Sequence, residues 1–204
     1  MSSYEVIRQS SEALRRILWQ EFEKDTLIQS IVNGPQDIVL KNPTETARNS
    51  SYKLSIWLYQ VCENEFLKNQ PVVQGNSRDS TQFPPLSLDL SYLITPFTQT
   101  GEYDHLLLGK TMQVLYDNAI LLLREPTGGP PFTITEDLRI VFCRLTLEEL
   151  TRIWEALREP YRLSVCYQVR VTQIDSLRQS NQARVLDRLA GLQNGVVDLA
   201  MLPE

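Results

Sequence analysis

Residues 84–97, PPLSLDLSYLITPF, decide the fold. Leu86, Leu88, Leu90, Tyr92 and Ile94 fall on one side of a period-two alternation, and Ser87, Asp89, Ser91, Leu93 and Thr95 on the other. Successive side chains of a strand point to opposite faces, so the pattern predicts a strand with one apolar face and one wetter face. Pro84, Pro85 and Pro96 bracket the run, as expected of residues that cannot donate to a sheet ladder. The run carries no catalytic chemistry.

Upstream, residues 52–62 (YKLSIWLYQVC) place Tyr52, Leu54, Ile56 and Leu58 on one face and Trp57, Tyr59 and Val61 on the other. A strand apolar on both faces is expected to be internal. The polar loop 70–83, with Gly75, Asn76, Ser77 and Asp79 at its tip, joins the two strands as a long antiparallel hairpin. Earlier still, Ser2 or Ser3 is placed to cap a helix reaching about Phe22, with Val6, Ile7, Ala13, Leu14, Ile17 and Leu18 as its stripe. A short strand is expected over 38–40, and the polar residues 42–46 read as a loop.

Downstream, residues 101–118 predict a helix whose buried stripe is Leu108, Met112, Leu115, Tyr116 and Ala119. The breaker cluster EPTGGPP at 125–131 is loop, and residues 137–143 alternate as a strand. Thr146 and Glu149 form a capping box for a helix using Leu147, Leu150, Ile153, Trp154 and Leu157, ended by Pro160. Residues 161–174 predict a long strand. Past Asp175 the chain turns polar, then gives a short amphipathic helix through Leu186, Leu189 and Leu192 and the apolar end VVDLAML. The expected class is α+β: a mixed, mainly antiparallel sheet with helices packed on one face. Residues 1–175 form the domain and 176–204 a C-terminal arm.

At 204 residues, 42% hydrophobic and 22% charged, the chain can bury a real core. A net charge of −5 with no basic run argues against nucleic acid as a partner. The start, MSSYEVIRQSS, reads as no secretory signal, and no apolar run is long enough to insert in lipid. A cytoplasmic location is the expectation. Cys62, Cys143 and Cys166 are odd in number and widely spaced, which suggests reduced, partly buried thiols.

A search for reactive constellations yields no catalytic, cofactor-binding or metal site. His105 is the only histidine and has no partner at ligand spacing. Thr127-Gly128-Gly129-Pro130 lacks the lysine of a phosphate loop, and Glu148-Glu149 is explained by helix N-terminal electrostatics. Arg162 and Arg170, on the polar face of the last strand, either pair with carboxylates across a subunit contact or belong to a solvated face.

Five segments in this order, IWLYQVCENEFLKNQP (56–71), PPLSLDLSYLITPF (84–97), HLLLGKTMQVLYDN (105–118), LTLEELTRIWEAL (145–157) and YRLSVCYQVRVTQID (161–175), resemble the tail-terminator, or cap, subunits of phage-tail-like contractile injection systems. The antifeeding prophage and the Photorhabdus virulence cassette carry familiar members. The resemblance implies a structural protein and no enzyme. It implies a homohexameric ring at the baseplate-distal end that stops addition of inner-tube and sheath subunits and holds their last layers. It implies a tail-terminator-like fold. Sheath subunits of such systems exchange extended arms, so the expected subunit or sheath contacts are Arg162, Arg170, Leu186, Leu189, Leu192, Val196, Val197 and Leu199. The Ser87, Asp89 and Ser91 side of the opening strand is expected near a ring or tube contact. Two other classes stay open: a small soluble enzyme using Cys166 or His105, and a connector of another phage-tail-like assembly.

Overall fold

The computed structural model describes residues 4–68, 71, 73–74, 80–124, 134–176 and 179–181. In chain order the elements are α1 (Val6–Phe22), α2 (Thr26–Gln29), β1 (Ile38–Val39), α3 (Pro43–Ala47), β2 (Leu54–Glu63), β3 (Val73–Gln74), β4 (Ser80–Gln82), β5 (Leu86–Pro96), α4 (Gly101–Asp117), β6 (Ile120–Arg124), β7 (Ile134–Cys143), α5 (Leu147–Leu157), β8 (Val165–Ile174) and β9 (Gln179–Asn181). Six strands form one sheet in the order β1-β2-β5-β8-β7-β6, and β3-β4-β9 form a small second sheet. Every pairing is antiparallel except that of β1 with β2, which makes the main sheet mixed. The class is α+β, as the alternating patterns led us to expect.

The strand read from residues 84–97 is β5, paired on both sides by β2 and β8. Leu88, Leu90, Tyr92 and Ile94 pack against Val6, Ala13, Leu14, Leu18 and Phe22 of α1 and Leu107, Val114 and Leu115 of α4. Burial of these side chains contributes roughly 1.5–3 kcal/mol each before entropy is counted. The other face of β5 departs from its wet reading. Ser87, Ser91, Leu93 and Thr95 are all buried, and only Asp89 reaches the surface in part. Ser87 and Ser91 are thus covered within the chain itself, which removes them as direct contacts for a ring or tube.

Two bulges reset the faces. In β2 the register steps from Leu58↔Tyr92 to Gln60↔Ser91, leaving Tyr59 as the extra residue. An inserted residue exchanges the faces of everything beyond it, so Val61 pairs with Leu90 instead of sharing the Trp57 side. In β8 the step from Leu90↔Val169 to Leu88↔Thr172 puts Arg170 and Val171 opposite Asp89 alone.

Several local expectations change. The first helix begins at Val6 with Glu5 in the N-cap position and no side-chain cap; Ser2 and Ser3 lie outside the described residues. Residues 42–46 are not loop: Asn42 caps α3 by accepting from the Glu45 N–H, with Pro43 preset for the first turn. Asp25 caps α2 in the same way, through the Leu27 and Ile28 amides. On α4 the buried stripe is Leu107, Leu108, Thr111, Val114 and Leu115, rotated away from Met112 and Tyr116, which are exposed. The Thr146–Glu149 capping box is formed, but Leu147 is 68% exposed and only Trp154 of α5 is buried. The last long strand begins at Val165, so Arg162 precedes it.

Candidate interaction surfaces

The residues with reactive potential do not assemble. Cys166 pairs in register with Leu93 and Cys143, whose side chains share the face turned away from the α1–α4 core. Its sulfur lies 3.3 Å from the Tyr59 hydroxyl. Burial pushes the Cys166 thiol up to about 11, and burial followed by the Cys166 contact raises the Tyr59 phenol as well. A thiol so raised holds little thiolate near neutrality, the opposite of an activated nucleophile. His105 is exposed on α4, across the sheet, beside the Lys110–Asp25 ion pair of 3.2 Å. No group of metal-ligating side chains occurs among the described residues. Cys166 and His105 therefore form no common centre.

What the sheet does position are two contrasting ends of the β2–β5–β8 unit. At one end, Lys53 precedes β2, Phe97 follows β5 and Arg162 precedes β8. The Phe97 N–H donates to the Lys53 carbonyl at 2.7 Å, and the Arg162 guanidinium stacks 5.0 Å from the centre of the Phe97 ring. These groups line a hollow of about 180 Å³ with Asn49, Ser50 and Thr98. Among the described residues neither Lys53 nor Arg162 forms an ion pair; the Lys53 ammonium donates instead to the Ser50 carbonyl at 2.6 Å. A cation held over an aromatic face keeps its charge while losing side-chain freedom.

At the other end, Asn64 follows β2 and is buried. Its N–H donates to the Ser87 carbonyl at 2.8 Å, and its side-chain oxygen accepts from the Phe66 and Leu67 amides at 3.1 and 3.2 Å. Its amide nitrogen donates to both oxygens of Asp89, at 3.1 and 3.2 Å. Arg170 lies 3.8 Å from the same carboxylate and donates to the Gln168 side chain at 2.6 Å. Arg139 sits directly opposite Arg170 in the β7–β8 register, and both line a depression of about 530 Å³. Like charges in register repel, and the Asp89 carboxylate at the bulge offsets that repulsion.

Arg162 and Arg170 are thus surface cations at opposite ends of the sheet and do not share a face of one strand. Leu186, Leu189, Leu192, Val196, Val197 and Leu199 lie outside the described residues. Asn64, Lys53 and Phe97 were not singled out by the sequence, whereas Asp89 was expected near a contact. The Asn in CENEF, placed where a strand must turn, was the legible signal for the first of these. No helix among the described residues is long and apolar enough to cross a membrane.

The Pvc16 N-terminal domain family model matches residues 10–188. Among solved structures, the chain is similar to the PVC sheath/tube terminator of an extracellular contractile injection system in its extended state. That likeness has a TM-score of 0.63 at 16% identity and covers 98% of this chain and 67% of that one. The chain is also similar to the anti-feeding prophage cap, a tube terminating cap, with a TM-score of 0.46 at 20% identity over 66% of this chain and 47% of that one. No curated protein sequence matches it. The first likeness establishes the shared fold, and the family match spans the whole six-stranded sheet. The chain belongs to the Pvc16 N-terminal domain family.

Proposed function

We propose that this chain is the cap of a contractile injection system, a structural subunit that ends the inner tube and sheath. The observation that carries the reading is the family match over residues 10–188, joined to a fold shared with a sheath/tube terminator over 98% of the chain. Six copies form a closed ring at the baseplate-distal end. One surface of the ring copies the docking face met by the last tube and sheath layer, and the opposite surface offers no acceptor for another. Function then resides in shape and surface chemistry. Partners are the chain itself, the inner-tube protein and the sheath protein, and the ring is assembled in the cytoplasm.

A cyclic ring of identical subunits uses two different surfaces of each monomer, so two unlike patches must match. The opposed ends occupied by Arg162 and Arg170 supply unlike patches. β2 supplies a further feature: β1 pairs only with Leu54 and Ser55, so the outer edge of β2 beyond Ser55 has no partner strand among the described residues. An open edge is a template for strand addition. On this reading residues 1–175 form the ring body. Residues 176–204 form an arm that starts on its own chain, where β9 pairs with β4, and then reaches a neighbouring cap or sheath subunit through Leu186, Leu189, Leu192, Val196, Val197 and Leu199. Native mass spectrometry of the full chain, alone and with tube and sheath proteins, tests the ring. A six-copy species is the expected result. A chain that remains monomeric in all mixtures contradicts the reading.

A further inference from the structure

Phe66 is the most exposed large apolar side chain among the described residues, 92% accessible. Its presentation is nevertheless built rather than loose. The buried Asn64 fixes the turn through the Phe66 and Leu67 amides and anchors it to Asp89, as described above. A buried amide that fixes the backbone from which a fully exposed phenyl ring projects points to a docking anchor. Glu65 precedes Phe66 in the chain and is also exposed.

The complementary chemistry lies at the far end of the same strand. Ten residues of β2 separate the two ends, about 33 Å at the usual strand rise. There the Lys53–Phe97–Arg162 hollow offers two cations without a carboxylate partner and one face of a stacked guanidinium. A hollow of about 180 Å³ suits a single side chain. A phenyl ring entering it would meet the free face of Arg162, and a carboxylate one residue away would meet Lys53.

We propose that Phe66 and Glu65 form the knob, and Lys53, Phe97 and Arg162 the socket, of a head-to-tail contact between two copies of this chain. The inference rests on the reading of the chain as a ring-forming cap. Knob and socket are different surfaces at opposite ends of one monomer, so the contact is heterologous: it closes into a ring if the rotation allows and extends as a filament if it does not.

The test uses the full chain in sedimentation and native mass spectrometry, with melting curves confirming that each variant is folded. Phe66→Ser removes the knob and leaves the socket; Arg162→Glu reverses charge in the socket and leaves the knob. Each variant alone is expected to weaken self-association about tenfold to a hundredfold, the scale for loss of a central anchor. Mixed together, the two variants should form one-to-one dimers that grow no further, because each pair retains one intact contact. Lys53→Glu should likewise weaken association, and adding Glu65→Lys to Lys53→Glu should restore part of it. Rings of wild-type size from either variant alone overturn the contact and leave the cap reading standing. Open chains of the wild type that both variants abolish uphold the contact and overturn the closed ring. A wild-type chain that never self-associates overturns the contact.

Discussion

The hydroxyl of Tyr92 on β5 lies 2.9 Å from the hydroxyl of Ser11 on α1, inside the core. Ser11 donates its own proton to the Ile7 carbonyl at 3.1 Å, so Tyr92 is the donor of the pair. The bond ties the central strand to the helix that covers it.

Its two ends are not equivalent under mutation. Ser11→Ala strands a buried Tyr92 donor and should cost about 1–3 kcal/mol. Tyr92→Phe leaves Ser11 bonded to Ile7 and should cost about 0.5–1.5 kcal/mol. Urea unfolding of both variants checks the order; a larger loss from Tyr92→Phe would show that the hydroxyl pair does not govern the site.

Alkaline pH should loosen the fold through the same strand and its neighbour. Burial pushes the Tyr92 phenol from 10.0 up to about 12 and the Cys166 thiol from 9.0 up to about 11. Both folded values lie above the unfolded ones, so the stability these groups contribute is complete below pH 9.0. It declines through the windows 9.0 to about 11 and 10.0 to about 12, as the unfolded chain releases protons that the folded chain retains. Cys166→Ala should lose less stability than wild type between pH 9.0 and about 11. Equal losses would remove Cys166 from the account. At about pH 8 the exposed Cys62 should react readily with a maleimide, and Cys166 only on unfolding.

The Asn64 turn makes a further prediction with a sign. Asn64→Ala frees two amides and removes the donor to Asp89, at an expected cost of about 1–3 kcal/mol. Asn64→Asp keeps the turn acceptor but sets a carboxylate against Asp89. It should be less stable than wild type at neutral pH and should regain stability relative to wild type as the pH falls and one carboxyl is protonated. A deficit independent of pH would contradict that geometry.

The alternation of residues 86–96 and the Thr146–Glu149 box were legible because period and capping are local properties. The α3 cap was equally local: Asn42-Pro43 with Glu45 is a helix start that the polar composition disguised as loop. The faces of β2 were not legible, since a bulge at Tyr59 depends on the register of β5 and leaves no mark in the alternation. Nor was burial of Ser87 and Thr95, whose hydroxyls have no hydrogen-bond partner within the described structure. Of the surface residues, Arg162 could be named from its position, but its place over Phe97 comes from two elements distant in sequence. The Phe66 anchor was hidden because an exposed phenylalanine carries the same letter as a buried one.

The proposed role of the chain is termination of the tube and sheath. Electron microscopy of injection-system particles assembled with tube, sheath and baseplate proteins, in the presence and absence of this chain, measures it directly. With the chain, particles should end in a six-fold ring and share one narrow length distribution; without it, tubes and sheaths should run to broad, uncontrolled lengths with loose distal ends. Particles of the same length and the same closed end in both preparations would contradict the account.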